Sequence, residues 1–257
     1  MHIAKAYLNY RLKAKKRHGV HSPFVYNLSE EVLHKRTAKK ASEIEAIRKE
    51  LLRDQTIINL IDYGAGSRKT SGSKRSVSEI AKTSSTPVVM AQMMQRLISY
   101  LELDNVVELG TNLGLTTAYL AAAGPKTRVI SLEGDPSLAS IAVKNLQKIG
   151  LEAEIIEGRF EDNLDLALAK MVNVDFAYID GNHRKEPTLN YFKSILEKTS
   201  ANSVLVFGDI HWSEEMEEAW KEIKQNKSVT FTIDLFDIGM VFFRKDRAEV
   251  EHFTIRL

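Results

Sequence analysis

The chain of 257 residues has no cysteine. That excludes disulfides, thiolate metal sites and thiol nucleophiles, and makes a reducing cytoplasm the expected setting. Nor does any apolar run approach the roughly 18 residues needed to cross a bilayer, so no membrane role is expected. The opening segment "MHIAKAYLNYRLKAKKRHG" is basic and amphipathic, but it lacks the apolar stretch and small-residue cleavage site of a secretory signal. Internal repeats and long low-complexity tracts are also missing.

What is present is ordinary in bulk and uneven in distribution. Hydrophobic residues make up 44% and charged residues 27%, with a net charge of +2. Residues 1–100 carry 19 Lys and Arg against 8 Asp and Glu, a balance of +11, which leaves 17 against 26, or −9, for the remainder. A basic front of this kind suits an anionic partner such as nucleic acid, or a solvated face that pairs with the acidic half. No aromatic or glycine-rich nucleic-acid pattern accompanies the charges, which favours the second reading.

From about Asp104 onward, short β-branched runs alternate with helix-length amphipathic segments, the pattern of a mainly parallel sheet covered on both faces. Strands are expected at 105–110, 127–133, 152–158, 174–180 and 202–209. At the end, "VTFTIDLF" and "MVFFRKD" are separated only by "DIG". Such a connection is too short for a helical crossover, so the sheet should finish in an antiparallel β-hairpin. Upstream, residues 1–16 and 41–59 are expected to be helical, and "SRKTSGSKRSVSE" (67–79) to be a mobile loop; with "IDYGAGSRK" at its edge, this basic flap is expected to order over bound cofactor or substrate. The division is thus a basic helical N-terminal extension, 1–83, and an α/β domain, 84–257. Gly19 and Pro23 argue that "RHGVHSPF" is a turn, its histidines lacking the spacing of a metal pair.

Two stretches look built to hold a nucleotide: "IDYGAGSRK" (61–69) and "VELGTNLGLT" (107–116). A cofactor loop in an open α/β sheet needs a strand before it, glycines at the turn, a helix after it and an acid ending the next strand. The second stretch meets every condition, with Gly110 and Gly114 in the turn and Glu133 placed 23 residues after Gly110. The first is followed by a polar run and no such acid. Glu108, just before the loop, would repel a pyrophosphate but suit a cationic cofactor.

Taken together, "VVELGTNLGLTTAYLA", "VISLEGDP", "IIEGRFEDNL", "VDFAYIDGNH" and "SVLVFGDIHW" resemble the successive motifs of the class I S-adenosylmethionine-dependent methyltransferases. Within that superfamily they are most similar to the small-molecule O-methyltransferases of the catechol O-methyltransferase-like branch. The resemblance covers about Ser84 to the C-terminus. It implies an α/β, Rossmann-like fold: a seven-stranded mostly parallel sheet ending in an antiparallel hairpin, helices on both faces, with the helical extension in front.

It implies as well that Glu108, Gly110, Thr111, Asn112 and Gly114 surround the methionine moiety of S-adenosyl-L-methionine. Glu133 would hold the ribose, flanked by Gly134 and Asp135. Gly158, Arg159 and Phe160 would border the adenine, with Ser84 and Ser85 loosely placed beside the cofactor. Asp180 follows the fourth strand, where the family makes its substrate or metal contacts.

Methyl transfer from a sulfonium is an in-line displacement, so the protein must align a nucleophile and remove its proton. Asp180, His183, Asp209 and His211 are the catalytic candidates, at the C-terminal ends of strands four and five. Cation-dependent relatives pair such carboxylates with an Asn after strand five, but Ile210 stands there. Two versions stay open: a divalent cation held by Asp180, Asp209 and His211, or a metal-free site with His211 or His183 as general base. Trp212 is a candidate pocket wall and Trp220 a packing residue. The acceptor is expected to be a small molecule. The alternatives are an RNA or protein methyltransferase using the basic front, and a catalytically silent scaffold; a homodimer is compatible with either enzyme reading.

Overall fold

The computed structural model describes residues 2–15, 22–61, 63, 74–245 and 249–257. Helix α1 (His2–Lys13) opens the chain, followed by α2 (Pro23–Leu28), where the Ser22 hydroxyl accepts from the Val25 N–H and Pro23 fills the first turn. A π-helical turn, Ser29–Leu33, extends α2. Helix α3 (Ala41–Leu51) is shorter than the 41–59 expected from sequence. The Asp54 carboxylate accepts the Thr56 N–H in a turn, and the β-branched residues beyond it form strand β1 (Ile57–Asn59), paired antiparallel with β2 (Lys74–Ser76).

Helix α4 (Val77–Thr83) starts at once, capped by the Ser76 hydroxyl, and α5 (Val88–Leu101) follows. The mobile loop expected over 67–79 is therefore corrected for 74–79. Arg75 and Val77 bury their side chains, and Ser76 begins a helix. Residues 67–73 lie outside the described residues, as do His18 and His21 and all of "IDYGAGSRK" except Ile61 and Tyr63.

The α/β part alternates strictly: β3 (Asn105–Leu109), α6 (Leu115–Ala121), β4 (Arg128–Glu133), α7 (Pro136–Lys148), β5 (Glu154–Glu157), α8 (Phe160–Ala169), β6 (Val174–Ile179), α9 (Lys185–Leu196), β7 (Thr199–Gly208) and α10 (Glu214–Lys224). The chain then runs through β8 (Phe231–Asp234), β9 (Ile238–Phe242) and β10 (Glu251–Thr254). Spatially the sheet is ordered β10-β8-β9-β7-β6-β3-β4-β5. Strands β5, β4, β3, β6 and β7 are parallel; β9 is antiparallel to both β7 and β8, which is the expected hairpin. The count is eight rather than seven because β10 adds a parallel edge beside β8. Its short, half-exposed segment carries no clear apolar alternation to reveal it.

Alternation along the strands divides the core. Val106, Phe176, Tyr178, Val204 and Val206 face α5 and α2, whereas Val107, Leu109, Ala177, Ile179 and Leu205 face α8, α9 and α10. Both faces are covered, as a parallel sheet requires. The N-terminal extension shares these cores: Val25, Leu28, Val32 and Leu33 belong to the first, and Phe24 meets Phe231 and Phe242 edge-on. Helix α1 lies against the hairpin, where Tyr7 and Tyr10 flank Phe236 at 5.0 and 5.4 Å and the Tyr10 hydroxyl donates to the Ile255 carbonyl at 2.6 Å.

Several cations of the basic front are spent internally. Lys39 donates to the Ala123 carbonyl, Lys40 to the Ile149 carbonyl and Arg96 to the Val32 carbonyl, while Lys148 and Glu50 pair across the two halves. Among the described residues no helix is long and apolar enough to cross a membrane. If the extension and the α/β part share one core, Leu28→Ala lowers the unfolding free energy by about 2–5 kcal/mol in a single urea transition. A loss near zero, or a separate early transition, would show that the extension folds on its own.

Candidate active site

Strand β3 lies between β4 and β6, so the chain reverses its order there, and ligands in such sheets bind beyond the C-terminal ends of the strands at this reversal. A cavity of about 590 Å³ opens at that position, inside the range of roughly 300–1,000 Å³ usual for small-molecule sites. Its floor is where β3, β6 and β7 end. The Asp180 N–H donates to the Leu109 carbonyl at 2.9 Å. Gly110, with φ of 107°, passes so close to the Asp180 carbonyl that a Cβ would collide with it, and one on Gly208 would collide with the Asp180 carboxylate. Tyr178 donates its hydroxyl to Asp180 Oδ2 at 2.7 Å. Burial, with Asp180 adding to it, raises the Tyr178 pKa well above its usual value, so it remains a donor.

One side of the cavity is organised by Glu133, which is 8% exposed. Its carboxylate accepts the Asn112 N–H at 2.7 Å and the Asp135 N–H at 2.9 Å. Burial raises its pKa, while those backbone donors and the neighbouring glycine N–H resist the rise. Gly110, Thr111, Asn112, Gly134, Arg159 and Phe160 also line the cavity, as do Ser84 and Ser85, the Ser84 carbonyl accepting from the Asn112 side chain at 2.8 Å. Asp135 is turned away, capping α7 through Leu138 N–H and accepting the Ile61 N–H at 2.7 Å. That bond brings Tyr63 into the wall, against Gly134 and with the Arg159 guanidinium 5.7 Å from its ring centre. The sequence rules this segment out as the nucleotide loop and places it at the edge of a flap over the ligand, without singling out Tyr63.

Three other residues expected around a ligand lie behind the wall instead. Gly114 lets α6 approach Ala142 of α7, and Gly158 donates its N–H to the Glu133 carbonyl. Glu108 is fully buried under the glycine loop, where one oxygen accepts from the Thr117 and Ser131 hydroxyls at 2.5 and 2.6 Å. Burial pushes its pKa up to about 8 although both hydroxyls oppose the shift. Glu108, expected around the methionine moiety, is therefore not among the side chains that line the cavity, and its second oxygen is buried without a partner.

At the other end, Asp180, His183 and Asp209 offer donor atoms that all lie within 4.8 Å of one another, His183 Nε2 being 3.8 Å from Asp209 Oδ2. Asn112, Asn182, His183 and Asp209 all line the cavity with φ between 50° and 67°, left-handed conformations that cost a non-glycine residue energy and gather at functional sites. Trp212 stands beside His183, with ring centres 6.5 Å apart. Trp220 is packed in the core against Phe207 and Gly239.

His211 is the correction. Its ring nitrogens bond Glu217 at 2.8 Å and Asp234 at 3.0 Å, and it stacks on Phe236 at 5.3 Å. The turn closed by Trp212 N–H on the Asp209 carbonyl sends consecutive side chains to opposite sides, so Asp209 and Trp212 face the cavity and His211 the hairpin. The third member of the cluster is His183.

A family model described as a methyltransferase domain matches residues 107–210, the strands and loops that build this cavity. Curated relatives of the chain include the catechol O-methyltransferase of Niastella koreensis, 31% identical over 123 residues, 46% of this chain and 55% of the relative. The catechol O-methyltransferase of Mycobacterium tuberculosis is 30% identical over 117 residues, 44% and 51% of the two chains. The chain thus spans about half the length of these relatives. Among solved structures, the O-methyltransferase TomG of Streptomyces achromogenes, in complex with SAM, superposes with a TM-score of 0.57 at 19% identity, over 63% of this chain and 82% of that one. The O-methyltransferase of Bacillus cereus, in complex with SAH, gives 0.54 at 18% identity, over 85% and 96%. These likenesses establish the fold, a Rossmann-like α/β sheet.

The half-buried His211 makes a prediction of its own. Burial disfavours the imidazolium, but Asp234 and Glu217 outweigh it, so the pKa of His211 is raised. A raised folded pKa gives stability that is complete below the ordinary histidine value of about 6.5 and is lost as pH rises through the folded value. The Tm difference between wild type and His211→Gln should therefore be largest near pH 6 and shrink toward pH 9. A difference that grows with pH would show that the neutral imidazole is the stabilised form.

Proposed function

We propose that the protein is an S-adenosyl-L-methionine-dependent methyltransferase that methylates an oxygen of a small-molecule acceptor. The observation that carries this reading is the pairing of two subsites in one cavity. Glu133, held by two backbone N–H groups, stands at one end, and the Asp180, His183 and Asp209 cluster at the other. Cofactor-bound neighbours of the same fold and catechol O-methyltransferase relatives support it.

In this reading the Glu133 carboxylate receives the ribose hydroxyls, Phe160 and Tyr63 border the base, and the glycine loop passes beneath the methionine moiety. A cavity whose floor and wall carry Asp180, Asp209 and Glu133 suits a sulfonium and ammonium and disfavours a pyrophosphate. Trp212 offers a flat apolar face to an aromatic acceptor. The acceptor hydroxyl lies against Asp180 and Asp209, and His183 takes its proton as the oxygen attacks the methyl carbon in line with the departing sulfur. The C–O bond forms as the C–S bond breaks, and S-adenosylhomocysteine leaves as a neutral thioether.

Two carboxylates and an imidazole are also a donor set for a divalent ion of the manganese-to-zinc type. Asp180, His183 and Asp209 would hold such an ion, which would lower the pKa of the acceptor hydroxyl. Ile210, 1% exposed, offers no further donor.

The test is methyl transfer from radiolabelled S-adenosylmethionine to catechol, with binding followed by calorimetry. His183→Ala and Asp209→Ala should lower kcat by about 10²- to 10⁴-fold and leave cofactor affinity within a few-fold. Glu133→Ala should raise the cofactor Kd by roughly 10-fold or more. Unchanged affinity in Glu133→Ala would mean that the nucleoside lies elsewhere, and full turnover in Asp209→Ala would remove that carboxylate from the chemistry.

A further inference from the structure

Arg75, on β2 of the N-terminal extension, is 7% exposed and lines the cavity. Its guanidinium reaches the Thr83 hydroxyl and, at 3.4 Å from both terminal nitrogens, the Ser84 hydroxyl. Among the described residues no carboxylate pairs with it, and its Nε is buried without a hydrogen-bond partner. Next to Ser84, the Ser85 hydroxyl is also buried and unpartnered. Neutral hydroxyls satisfy donors but do not offset a charge, and a buried guanidinium without a counter-ion is costly.

A second buried arginine provides the contrast. Arg96, 8% exposed, donates to the Val32 and Thr37 carbonyls and takes no part in the cavity. It ties α5 to the chain after α2. Arg75 instead keeps donor capacity at a cavity wall, with Lys82 on the same wall adding positive potential.

The location narrows the choice of anion. The Ser84 carbonyl accepts from the Asn112 side chain at 2.8 Å, which joins the Arg75 corner to the glycine loop. Asn112 in turn gives its N–H to Glu133. A ligand with its ribose at Glu133 and its amino-acid end over Gly110 and Thr111 would bring a carboxylate to this corner.

We infer that Arg75 is a carboxylate-binding residue of the cavity, and that its neighbours favour the α-carboxylate of the methionine moiety. The inference rests on the cofactor reading above. A guanidinium can grip a carboxylate through two parallel N–H bonds, which a lysine cannot reproduce. The N-terminal strand β2 then completes the cofactor site, and the front of the chain is needed for binding as well as for stability.

The test is calorimetry on the full chain with S-adenosylmethionine and with its decarboxylated analogue, for wild type, Arg75→Gln and Arg75→Lys. Wild type should prefer the carboxylated cofactor by roughly 10- to 100-fold. Arg75→Gln should lose most of that preference by weakening only the carboxylated ligand, and Arg75→Lys should keep part of it. A companion titration of the S-adenosylhomocysteine complex with catechol and 3,4-dihydroxybenzoate separates the sources. Selective loss of dihydroxybenzoate in Arg75→Gln, with cofactor affinity intact, assigns the carboxylate to the acceptor. Equal weakening of both cofactor forms, or no change with any of the four ligands, overturns the inference. Wild type that binds neither cofactor form removes the cofactor reading and this inference with it.

Discussion

The main chain of Asp180 fills the space where a side chain on Gly110 would stand, and its carboxylate does the same at Gly208. The ends of β3, β6 and β7 can converge only because both neighbours lack a Cβ, and Asp180 is thereby held at the centre of the sheet's C-terminal edge. From that point the glycine loop turns outward with Asn112 in a left-handed conformation, and Glu133 fastens it through the Asn112 N–H. On the opposite side the same crowding brings Asp209 and His183 to within reach of Asp180. Relaxing either glycine would separate the Glu133 wall from the cluster of Asp180, His183 and Asp209.

Buried acids determine what such a cavity can accept. Glu108 beneath the loop, Glu133 in the wall and Asp180 in the floor lie close enough that the charges of the last two add to the burial that raises the Glu108 pKa. Asp237, at the hairpin turn that also lines the cavity, reaches solvent, yet partial desolvation raises its pKa as well. A cationic ligand relieves this repulsion, and an anionic one worsens it except at the corner where Arg75 stands. Under the proposed function, this arrangement favours a zwitterionic amino-acid cofactor over a dinucleotide.

Much of the fold was legible because both its signals are local. Glycine and Asp-Pro boundaries frame α7, and uninterrupted β-branched runs mark the parallel strands. The "DIG" spacing was sufficient to expose the terminal hairpin. Local signals fail where partners are distant in sequence. Nothing near Ile57 announces that it pairs with Ser76, so β1, β2 and the start of α4 read as the end of a helix and a polar loop. In the site, spacing located Gly110, Glu133 and Asp180 but could not tell which side of a turn a residue faces. That is why His211, clamped by Glu217 and by Asp234 on β8, was preferred to His183 as the third member of the cluster. Glu108 stands on a strand whose alternate residues face opposite sides, and one-dimensional reading could not see that the loop folds over it. The segment that carries Tyr63 and Arg75 was expected to lie over the cofactor or substrate, but neither side chain could be singled out from sequence, because they reach the cavity from the extension, where the family resemblance says nothing.

The central claim is that a single cavity holds the nucleoside at Glu133 and directs the reacting sulfur toward Asp180, His183 and Asp209. A crystal structure of the full chain grown with S-adenosylhomocysteine tests it most directly. The account predicts ribose hydroxyls within hydrogen-bonding distance of the Glu133 carboxylate and the sulfur facing the three-residue cluster across the cavity. A nucleoside bound away from Glu133, or a sulfur pointing away from that cluster, would contradict it.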